Sequence, residues 1–318
     1  RFAPTAKDLA SRDVVSRAMT IEVNEGRGVG PNKDHIMLHL EHIDADTLHQ
    51  RLPGITETAK IFCGVDVTRE PIPVLPTVHY NMGGIPTNYH GEVISAANGD
   101  ENATVPGLMA IGEAACVSVH GANRLGTNSL LDIVVFGRAA AHRAVETVTA
   151  GGTPRTAPQA ATDKALDRFD RMRHADGEVS AAQVRLEMQQ AMQRHAAVFR
   201  SSDSLTEGVA SMDKVASKMG HIGVRDKSLI WNTDLVEAME LENLMGQALV
   251  TIRSADQREE SRGAHAHEDW PERDDENWMK HTLMWLDENN KSTLGYRSVV
   301  MNTLSNDVAP IPPAPRVY

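Results

Sequence analysis

Cysteines, positive charges and long apolar runs are all scarce in this sequence. The two cysteines, Cys63 and Cys116, are too few for a disulfide scaffold or a cysteine-rich zinc or iron–sulfur site. Lys and Arg number 32 against 43 Asp and Glu, and the resulting net charge of −11 argues against a dedicated nucleic-acid binder. No run of about 18 apolar residues occurs, so we expect no membrane-spanning segment.

The composition is otherwise that of an ordinary globular protein. Hydrophobic residues make up 41% of the 318 residues and charged residues 24%. This length suggests about two domains with smaller appendages. No basic stretch followed by an apolar core opens the sequence, so we expect no signal peptide there. The residues that follow Arg1 have the character of the interior of a longer chain, and we therefore expect a fragment.

Residues 1–78 mix helical and strand patterns. A short helix is predicted over Asp8–Met19, and alternating apolar residues predict strands over Thr20–Asn24 and Asp34–Glu41. The residues predicted to face inward on the helix are Val14, Val15 and Met19. The glycine-rich segment Gly26–Asn32 lacks the spacing of a dinucleotide-binding loop, so we predict a plain β-hairpin here.

Residues 79–150 are rich in Gly, Asn, His and small residues. The apolar run Leu108–Ile111 predicts a buried strand that ends at Gly112 and Glu113, where α/β sheets bind ligands. The segment Asn128–Ala141 is apolar nearly all round and predicts a buried central helix. The loop between these elements leads into a helix N-terminus, whose free N–H groups suit an anionic or carbonyl-rich ligand.

Three polar side chains in this region are candidates for binding. Glu113 lies at the predicted strand end and could accept hydrogen bonds from a ribose, and Arg124 offers a planar fork for a carboxylate. His79 precedes the double glycine Gly83–Gly84, where backbone can approach a flat ligand closely, although a structural histidine fits the pattern equally well. Arg12, farther upstream, has the pattern of an ordinary charged helix end.

After a linker that starts at Gly151, the sequence is helical for roughly a hundred residues. The capping boxes Ser180–Gln183 and Ser204–Glu207 predict helix starts, and Gly220 predicts a helix end. A further helix is predicted over Leu235–Ile252. We therefore predict a bundle of three or more antiparallel helices.

The last part of the chain predicts a β-hairpin and a proline-rich tail. The strands His281–Leu286 and Arg297–Met301 bracket the polar turn Asp287–Lys291. Without an HExxH helix or a cysteine pair, no metal site is predicted from the polar residues His265, His267, Glu268 and His281.

These segments resemble the flavoprotein subunits of the succinate dehydrogenase and fumarate reductase family, part of respiratory complex II. The most specific motif is His-Gly-Ala-Asn-Arg-Leu-Gly at residues 120–126. The matching stretches are Arg1–Arg17, Gly26–Gly30, Leu52–Gly54, Glu70–Tyr89, Val105–Arg138, Arg262–Trp278, Arg297–Val299 and Pro310–Tyr318. The similarity is closest to the alphaproteobacterial and mitochondrial branch.

The resemblance implies an α/β plus α fold in four parts. These are the remainder of a capping domain at 1–78, the remainder of an FAD-binding domain at 79–150, a helical bundle at 155–260 and a small C-terminal hairpin and tail region at 261–318. The family's GxGxxG fingerprint, its covalent FAD histidine and the rest of its capping domain have no matching residues here.

The resemblance also implies residue roles. In this family a hydride passes from succinate to N5 of FAD and a proton leaves the neighbouring carbon, which gives fumarate. The substrate-binding positions are matched by His79, Arg124 and Thr127, the last through its backbone. The FAD-contacting positions are matched by Glu113, Ser129 and Leu130. Arg12 matches the proton-transferring arginine, which needs a relay because an arginine is a poor base.

The function implied by the resemblance is succinate:quinone oxidoreduction with FAD. The implied partners are an iron–sulfur subunit, which takes the electrons, and membrane anchor subunits, with no nucleic acid. The implied location is peripheral, on the cytoplasmic face of a bacterial inner membrane or the matrix face of a mitochondrial one. Alternatives are fumarate reductase, another flavin-dependent dicarboxylate enzyme such as an aspartate oxidase, or a non-catalytic chain that retains the fold.

Overall fold

The computed structural model of the chain describes residues 1–7, 10, 12–96, 99–153 and 156–314. They form two compact units, 1–78 with 313–314 and 79–312. The mixed α/β architecture with a helical bundle is the predicted fold class. The predicted four-part division of the chain stays a prediction. Among the described residues, no helix is long and apolar enough to cross a membrane.

The first unit is built from short elements around a small apolar core. The elements are α1 (Arg12–Asn24), β1 (Ile36–Leu38), α2 (Ala45–Arg51), α3 (Pro53–Thr58), a π turn (Ala59–Cys63) and β2 (Ile72–Val74). β1 pairs antiparallel with β2, with Met37 opposite Pro73. The Asp44 carboxylate caps α2 by accepting a hydrogen bond from the Thr47 N–H at 2.9 Å. The buried core residues are Leu48, Ala59, Val67 and Ile72.

The predicted hairpin near the start of the chain is wrong. Residues 20–24 continue α1, and the partner of β1 is β2. The alternation of Ile21 and Val23 is too short to distinguish the two-residue period of a strand from the 3.6-residue period of a helix. Ile21 also lies seven residues after Val14, on the same face of a helix. The Thr20 hydroxyl donates to the Ser16 carbonyl at 2.8 Å, as in a helix. Val15 is exposed rather than inward, and Asp8 lies outside the described residues.

The second unit begins with two small sheets and a long helix. Its elements are β3 (Ile85–Pro86), β4 (Glu92–Ile94), β5 (Thr104–Met109), a 3₁₀ turn (Gly112–Ala114), β6 (Ala115–Cys116) and α4 (Asn128–Thr147). β3 runs parallel to β6, and β4 pairs antiparallel with β5. The Arg143 guanidinium on α4 donates to the Glu92 carboxylate on β4 at 2.9 Å.

Two burial predictions in this part are wrong. The strand predicted at Leu108–Ile111 ends at Met109 as part of β5, and Leu108 is exposed. The helix predicted over Asn128–Ala141 is present as α4, yet Asp132 is its one buried residue. A helix is buried only where other elements cover it, and the pairs β3–β6 and β4–β5 are too small to cover α4 on all sides.

The helical bundle is confirmed. Its helices are α5 (Gln159–Arg173), α6 (Ala181–His195), α7 (Ser202–Ser217) and α8 (Thr233–Asp256), with a two-residue parallel pair, β7 (Val179–Ser180) and β8 (Ile222–Gly223), at one end. Most of the buried apolar residues of the unit lie between α6, α7 and α8. The deepest of them are Val184, Leu205, Met212, Leu241, Leu249 and Ile252.

The predicted helix starts are partly right. The Ser180 hydroxyl caps α6 by accepting from the Gln183 N–H at 3.2 Å, as predicted. The start predicted at Ser204 is three residues late, because Ser201 caps α7 and accepts from the Ser204 N–H. Gly220 does not end a helix. It lies inside a 3₁₀ turn (Lys218–His221) and lacks the left-handed backbone of a helix-ending glycine.

The C-terminal hairpin is confirmed with a shifted second strand. The short helix α9 (Asp275–Trp278) precedes β9 (Lys280–Leu286), which pairs antiparallel with β10 (Ser292–Ser298). The predicted second strand began at Arg297, five residues too late. The tight polar turn after Leu286 lets pairing start at once, with Ser292 opposite Leu286.

Candidate active site

The loop before α4 ends in a backbone geometry that leaves the helix start without a side-chain cap. Thr127 has a left-handed backbone (φ 69°), and its hydroxyl donates to the Gly126 carbonyl instead of accepting from the helix. The Asn128 N–H donates to the Leu125 carbonyl at 3.3 Å and the Leu130 N–H to the Thr127 carbonyl at 3.0 Å. The first turn of α4 is therefore held by backbone alone and stays accessible to a ligand.

Arg124 lies in this loop with its guanidinium against an aromatic ring. Its Cζ atom is 4.5 Å from the ring centroid of Tyr80, a cation–π contact. Its Nη1 makes a long bond of 3.4 Å to the Leu125 carbonyl. Its Nε is buried and has no hydrogen-bond partner among the described residues. The fork of this arginine is therefore held mainly by the ring and keeps donors available for an anion.

The segment 79–81 brings the other predicted residues to Arg124. The Asn81 N–H donates to the Glu113 carboxylate at 3.0 Å, next to the Tyr80 ring that carries the Arg124 guanidinium. His79 is the exposed neighbour of Tyr80. Segment 79–81 thus contains His79 and contacts two other predicted site residues, Glu113 and Arg124.

A buried polar pair lies beneath this cluster, and sequence reasoning missed it. His120 Nε2 is 2.9 Å from the Asp132 carboxylate and 3.2 Å from the Tyr80 hydroxyl. The side chains of His120 and Asp132 are only 6% and 3% exposed. Asp132 is the one acidic residue in the largely apolar part of α4 at residues 128–141, and a buried carboxylate requires a hydrogen-bonded partner. That isolated carboxylate was the signal that could have found the pair.

The electrostatics of the cluster act on Tyr80. Burial raises the pKa of the Tyr80 phenol, and the negative charges of Asp132 and Glu113 raise it further, while Arg124 opposes them. Tyr80 is therefore a neutral hydrogen-bonding group at physiological pH. His120 Nδ1 is buried without a hydrogen-bond partner in the described part of the chain, so Nε2 is the ring nitrogen that contacts Asp132 and Tyr80.

A second loop is hydrogen-bonded to the Arg124 loop. The Ala264 N–H donates to the Ala122 carbonyl at 2.9 Å. Gly263 has a positive φ of 59°, and a Cβ there would lie 2.4 Å from the same carbonyl oxygen. The two backbones can approach this closely only because residue 263 is glycine.

Polar contacts fix this supporting loop. The Glu260 carboxylate is fully buried and accepts from the guanidinium groups of Arg258 and Arg262 at 2.9 and 2.8 Å. His265 Nδ1 is 2.7 Å from the Arg200 guanidinium, and its Nε2 is 3.0 Å from the Arg258 carbonyl. Burial first, then the Arg200 charge, lowers the pKa of His265 to about 4. His265 is therefore neutral here, with Nε2 as the donor.

The other predicted residues are placed as follows. Ser129 is half-buried and Leu130 exposed in the first turn of α4, and Thr127 precedes them. Arg12 is the first residue of α1 in the other unit and is exposed. A cation at a helix N-terminus is disfavoured by the helix dipole, which is the one local signal that sets Arg12 apart. The roles of all four residues stay predictions.

The double glycine after segment 79–81 fits a flat ligand. A Cβ on Gly84, which has φ 129°, would lie 2.7 Å from the Ala114 carbonyl. A Cβ on Gly83 would meet only the Asn81 side chain at 3.9 Å, so this backbone face is open beside Glu113. The open glycine face suits a flat ring, and the Glu113 carboxylate, which lies in the 3₁₀ turn between β5 and β6, suits a ribose hydroxyl.

Family models and curated relatives both relate this chain to flavoproteins. Residues 1–130 match the family described as FAD binding domain, and residues 185–318 match the family described as Fumarate reductase flavoprotein C-term. The chain is 61% identical over 318 residues to the succinate dehydrogenase flavoprotein subunit of Rickettsia conorii, covering 100% of this chain and 53% of that protein. For the mitochondrial succinate dehydrogenase (ubiquinone) flavoprotein subunit of Oryza sativa the identity is 58%, with 100% and 50% covered.

A solved structure extends the similarity to three dimensions. An Escherichia coli quinol fumarate reductase matches with a TM-score of 0.83 and 37% identity, over 98% of this chain and 51% of that one. The chain therefore spans about half the length of the curated relatives it matches.

Proposed function

The chain belongs to the family of flavoprotein subunits of succinate dehydrogenase and fumarate reductase, and from that membership we propose that the full-length subunit containing it oxidises succinate to fumarate and delivers the electrons to quinone. One observation carries the proposal. Segment 79–81 contacts both Arg124, the expected dicarboxylate ligand, and Glu113, the expected FAD ligand. Substrate and flavin must meet within hydride-transfer distance, and this segment joins the residues that would hold each of them.

The dicarboxylate would be bound by opposite charge and by donors. The Arg124 fork suits one carboxylate, because two parallel N–H···O bonds match its geometry. Exposed His79 would donate to the substrate, and the left-handed backbone at Thr127 would present a main-chain group to it. The Nε of Arg124 has no hydrogen-bond partner in the part of the chain that the structure describes, and this open donor supports an anion-binding role for the side chain.

FAD would be held by Glu113 through its ribose and by the backbone of Ser129 and Leu130 at the isoalloxazine edge. The uncapped start of α4 favours the electron-rich edge of such a ring. When bound, FAD supplies the hydride acceptor. The open glycine face at Gly83 leaves room for a flat ring beside these residues.

Arg12 would take the proton that leaves the substrate carbon. An arginine stays protonated in proteins, so it serves only as a member of a relay that passes the proton on at once. The exposed position of Arg12 at the start of α1 leaves its guanidinium accessible.

The proposal extends to partners and location. An iron–sulfur subunit would take the electrons, and membrane anchor subunits would hold the complex peripherally on the cytoplasmic face of a bacterial inner membrane or the matrix face of a mitochondrial one. The similarity to quinone-linked relatives and to a quinol fumarate reductase supports this assembly.

Fumarate reduction is the second candidate, because the E. coli quinol fumarate reductase shares this fold. The two are separated by assaying the full-length holoenzyme with succinate and a dye acceptor, and with fumarate and reduced viologen. We expect succinate oxidation to be the faster reaction. Fumarate reduction at a higher rate would favour the second candidate, and a preparation without flavin absorbance would favour a non-catalytic chain.

The role of Arg12 has its own test. Arg12→Gln should lower kcat by about 10²- to 10⁴-fold, the usual contribution of a proton-transfer group, and leave malonate affinity near normal. Arg69→Gln, which changes a side chain that is 80% exposed in the same unit, is the matched control. An Arg12→Gln variant with the kcat of the unmodified enzyme would contradict the catalytic role and leave Arg12 as an ordinary charged residue at a helix end.

A further inference from the structure

The orientation of Arg124 depends on three side chains that have no role in the function proposed above. The Arg124 Cζ atom lies 4.5 Å from the Tyr80 ring centroid, and its Nη1 makes only a long bond of 3.4 Å to the Leu125 carbonyl. A cation–π contact fixes the plane over which the charge lies without consuming its N–H donors. The position of the ring therefore sets the position of the fork.

The Tyr80 ring is itself fixed at both its edge and its hydroxyl. Its ring meets the His120 imidazole edge to face, at 5.4 Å between centroids and an interplanar angle of 88°. Its hydroxyl is 3.2 Å from His120 Nε2. Tyr80 thus has one face for Arg124 and one end for His120.

His120 is fixed in turn by Asp132. The 2.9 Å bond joins two side chains that are almost fully buried, and α4 supplies the carboxylate from the middle of its second turn. A buried carboxylate is strongly disfavoured without a donor, so the Nε2–H of His120 donates to Asp132, and the Tyr80 oxygen shares that proton as a second acceptor. The resulting chain of contacts runs from α4 through His120 and Tyr80 to the guanidinium.

We propose that Asp132, His120 and Tyr80 are positioning residues that orient Arg124 for binding a dicarboxylate. This inference rests on the proposed function, because it assigns the three residues to the same site. None of the three has to touch the substrate. They act by holding the arginine fork where both of its N–H edges can face a carboxylate, so that less conformational freedom is lost on binding.

The test is a double-mutant cycle on the full-length holoenzyme, read as malonate affinity from the change in flavin absorbance. Tyr80→Leu removes ring and hydroxyl and should weaken malonate binding about tenfold. Tyr80→Phe keeps the ring, loses the bond to His120 and should weaken it about threefold. Tyr89→Leu, an exposed tyrosine of the same unit, is the matched control and should leave affinity unchanged.

The cycle is completed by Arg124→Gln. If Tyr80 acts through Arg124, then Tyr80→Leu should change malonate affinity less than about twofold in the Arg124→Gln background. Equal effects in both backgrounds would overturn the positioning role while leaving Arg124 as the ligand. Normal malonate affinity in Arg124→Gln itself would overturn both this inference and the proposed site.

Folding is monitored on the same samples. Flavin content and the unfolding midpoint should be near normal for Tyr80→Phe, which loses a single oxygen. If Tyr80→Leu proves unstable, Tyr80→Phe decides alone. If Tyr80→Phe weakens malonate binding threefold, and this loss vanishes in the Arg124→Gln background, the positioning role is supported. Unchanged malonate affinity in Tyr80→Phe would overturn the contribution of the hydrogen bond between Tyr80 and His120.

Discussion

The helical bundle and the region around α4 lie in one unit but differ in how far their apolar side chains are buried. Between α6, α7 and α8 the large apolar side chains are buried, whereas on α4 the side chains of Leu130, Leu131 and Val134 are each more than 60% exposed. The bundle buries one face per helix against its neighbours along the chain. The α4 region instead buries a polar pair and presents a cation and an open glycine face.

From this difference we expect the bundle to determine the stability of the unit and the α4 region to determine ligand binding. The bundle provides most of the apolar burial, and burial is the dominant source of folding free energy. The α4 region contributes little burial of its own but holds every predicted site residue from His79 onward. Substitutions in the bundle should therefore change stability, and substitutions near α4 should change affinity.

The largest expected effect is in the bundle. Leu241 is fully buried, so Leu241→Ala should lower the free energy of unfolding by about 2–5 kcal/mol, the cost of lost burial plus a cavity. Urea unfolding of the 318-residue chain measures it. Leu166→Ala on α5, where the leucine is 56% exposed, is the control. Equal effects from the two leucines would mean that the bundle does not hold the core.

A pH effect is expected at the supporting loop. The pKa of His265 is lowered to about 4 by burial and by Arg200, with Arg258 and His267 also nearby, so the unfolded chain binds the proton more tightly. This stability is present above about pH 6.5 and is lost as the pH falls toward 4. From about pH 7.5 to 5 we expect a loss of about 2 kcal/mol from this group. His265→Gln should remove that part of the slope in urea unfolding, and an unchanged slope would contradict the assignment.

A smaller effect is expected where the supporting loop meets the Arg124 loop. Gly263→Ala forces a Cβ toward the Ala122 carbonyl, so it should move the Arg124 loop and weaken malonate binding about threefold. Gly151→Ala has the same positive-φ strain (φ 73°) but meets nothing within 4 Å. Any loss of affinity common to both variants would reflect backbone strain rather than the close approach.

The smallest effect is expected on α4 itself. Leu131 is 61% exposed, so Leu131→Ala should change the unfolding free energy of the 318-residue chain by less than about 0.5 kcal/mol. A loss above about 2 kcal/mol would show that α4 is covered in the isolated chain and would remove the contrast with the bundle.

The bundle was predictable because its information is local. Apolar residues at helical spacing and a serine cap specify α6 without reference to distant segments. Helix ends were less predictable, since Ser201 and Ser204 are both suitable caps and only the folded chain selects one. The end of α1 failed for a similar reason, because five alternating residues fit a strand and a helix equally well.

Candidate residues for the site could be proposed from the sequence, but the contacts between them could not. Glu113 and Arg124 follow from a strand end and a glycine-rich loop, and Arg12 followed only from the family resemblance. Tyr80 and His120 lie 40 residues apart in sequence, so no spacing rule links them. Asp132 was visible as the one acidic residue in the apolar segment 128–141, but its partner was not. The burial of α4 was overestimated because composition records the apolarity of a helix and not what covers it.

The most direct test of the account is malonate binding to the holoenzyme with Arg124→Ala. Loss of the fork should weaken binding about a hundredfold, close to 3 kcal/mol, with flavin content and unfolding midpoint unchanged. Arg138→Ala, an exposed arginine on α4, should bind malonate normally. Malonate affinity within about threefold of the unmodified enzyme in Arg124→Ala would contradict the assignment of this loop as the dicarboxylate site.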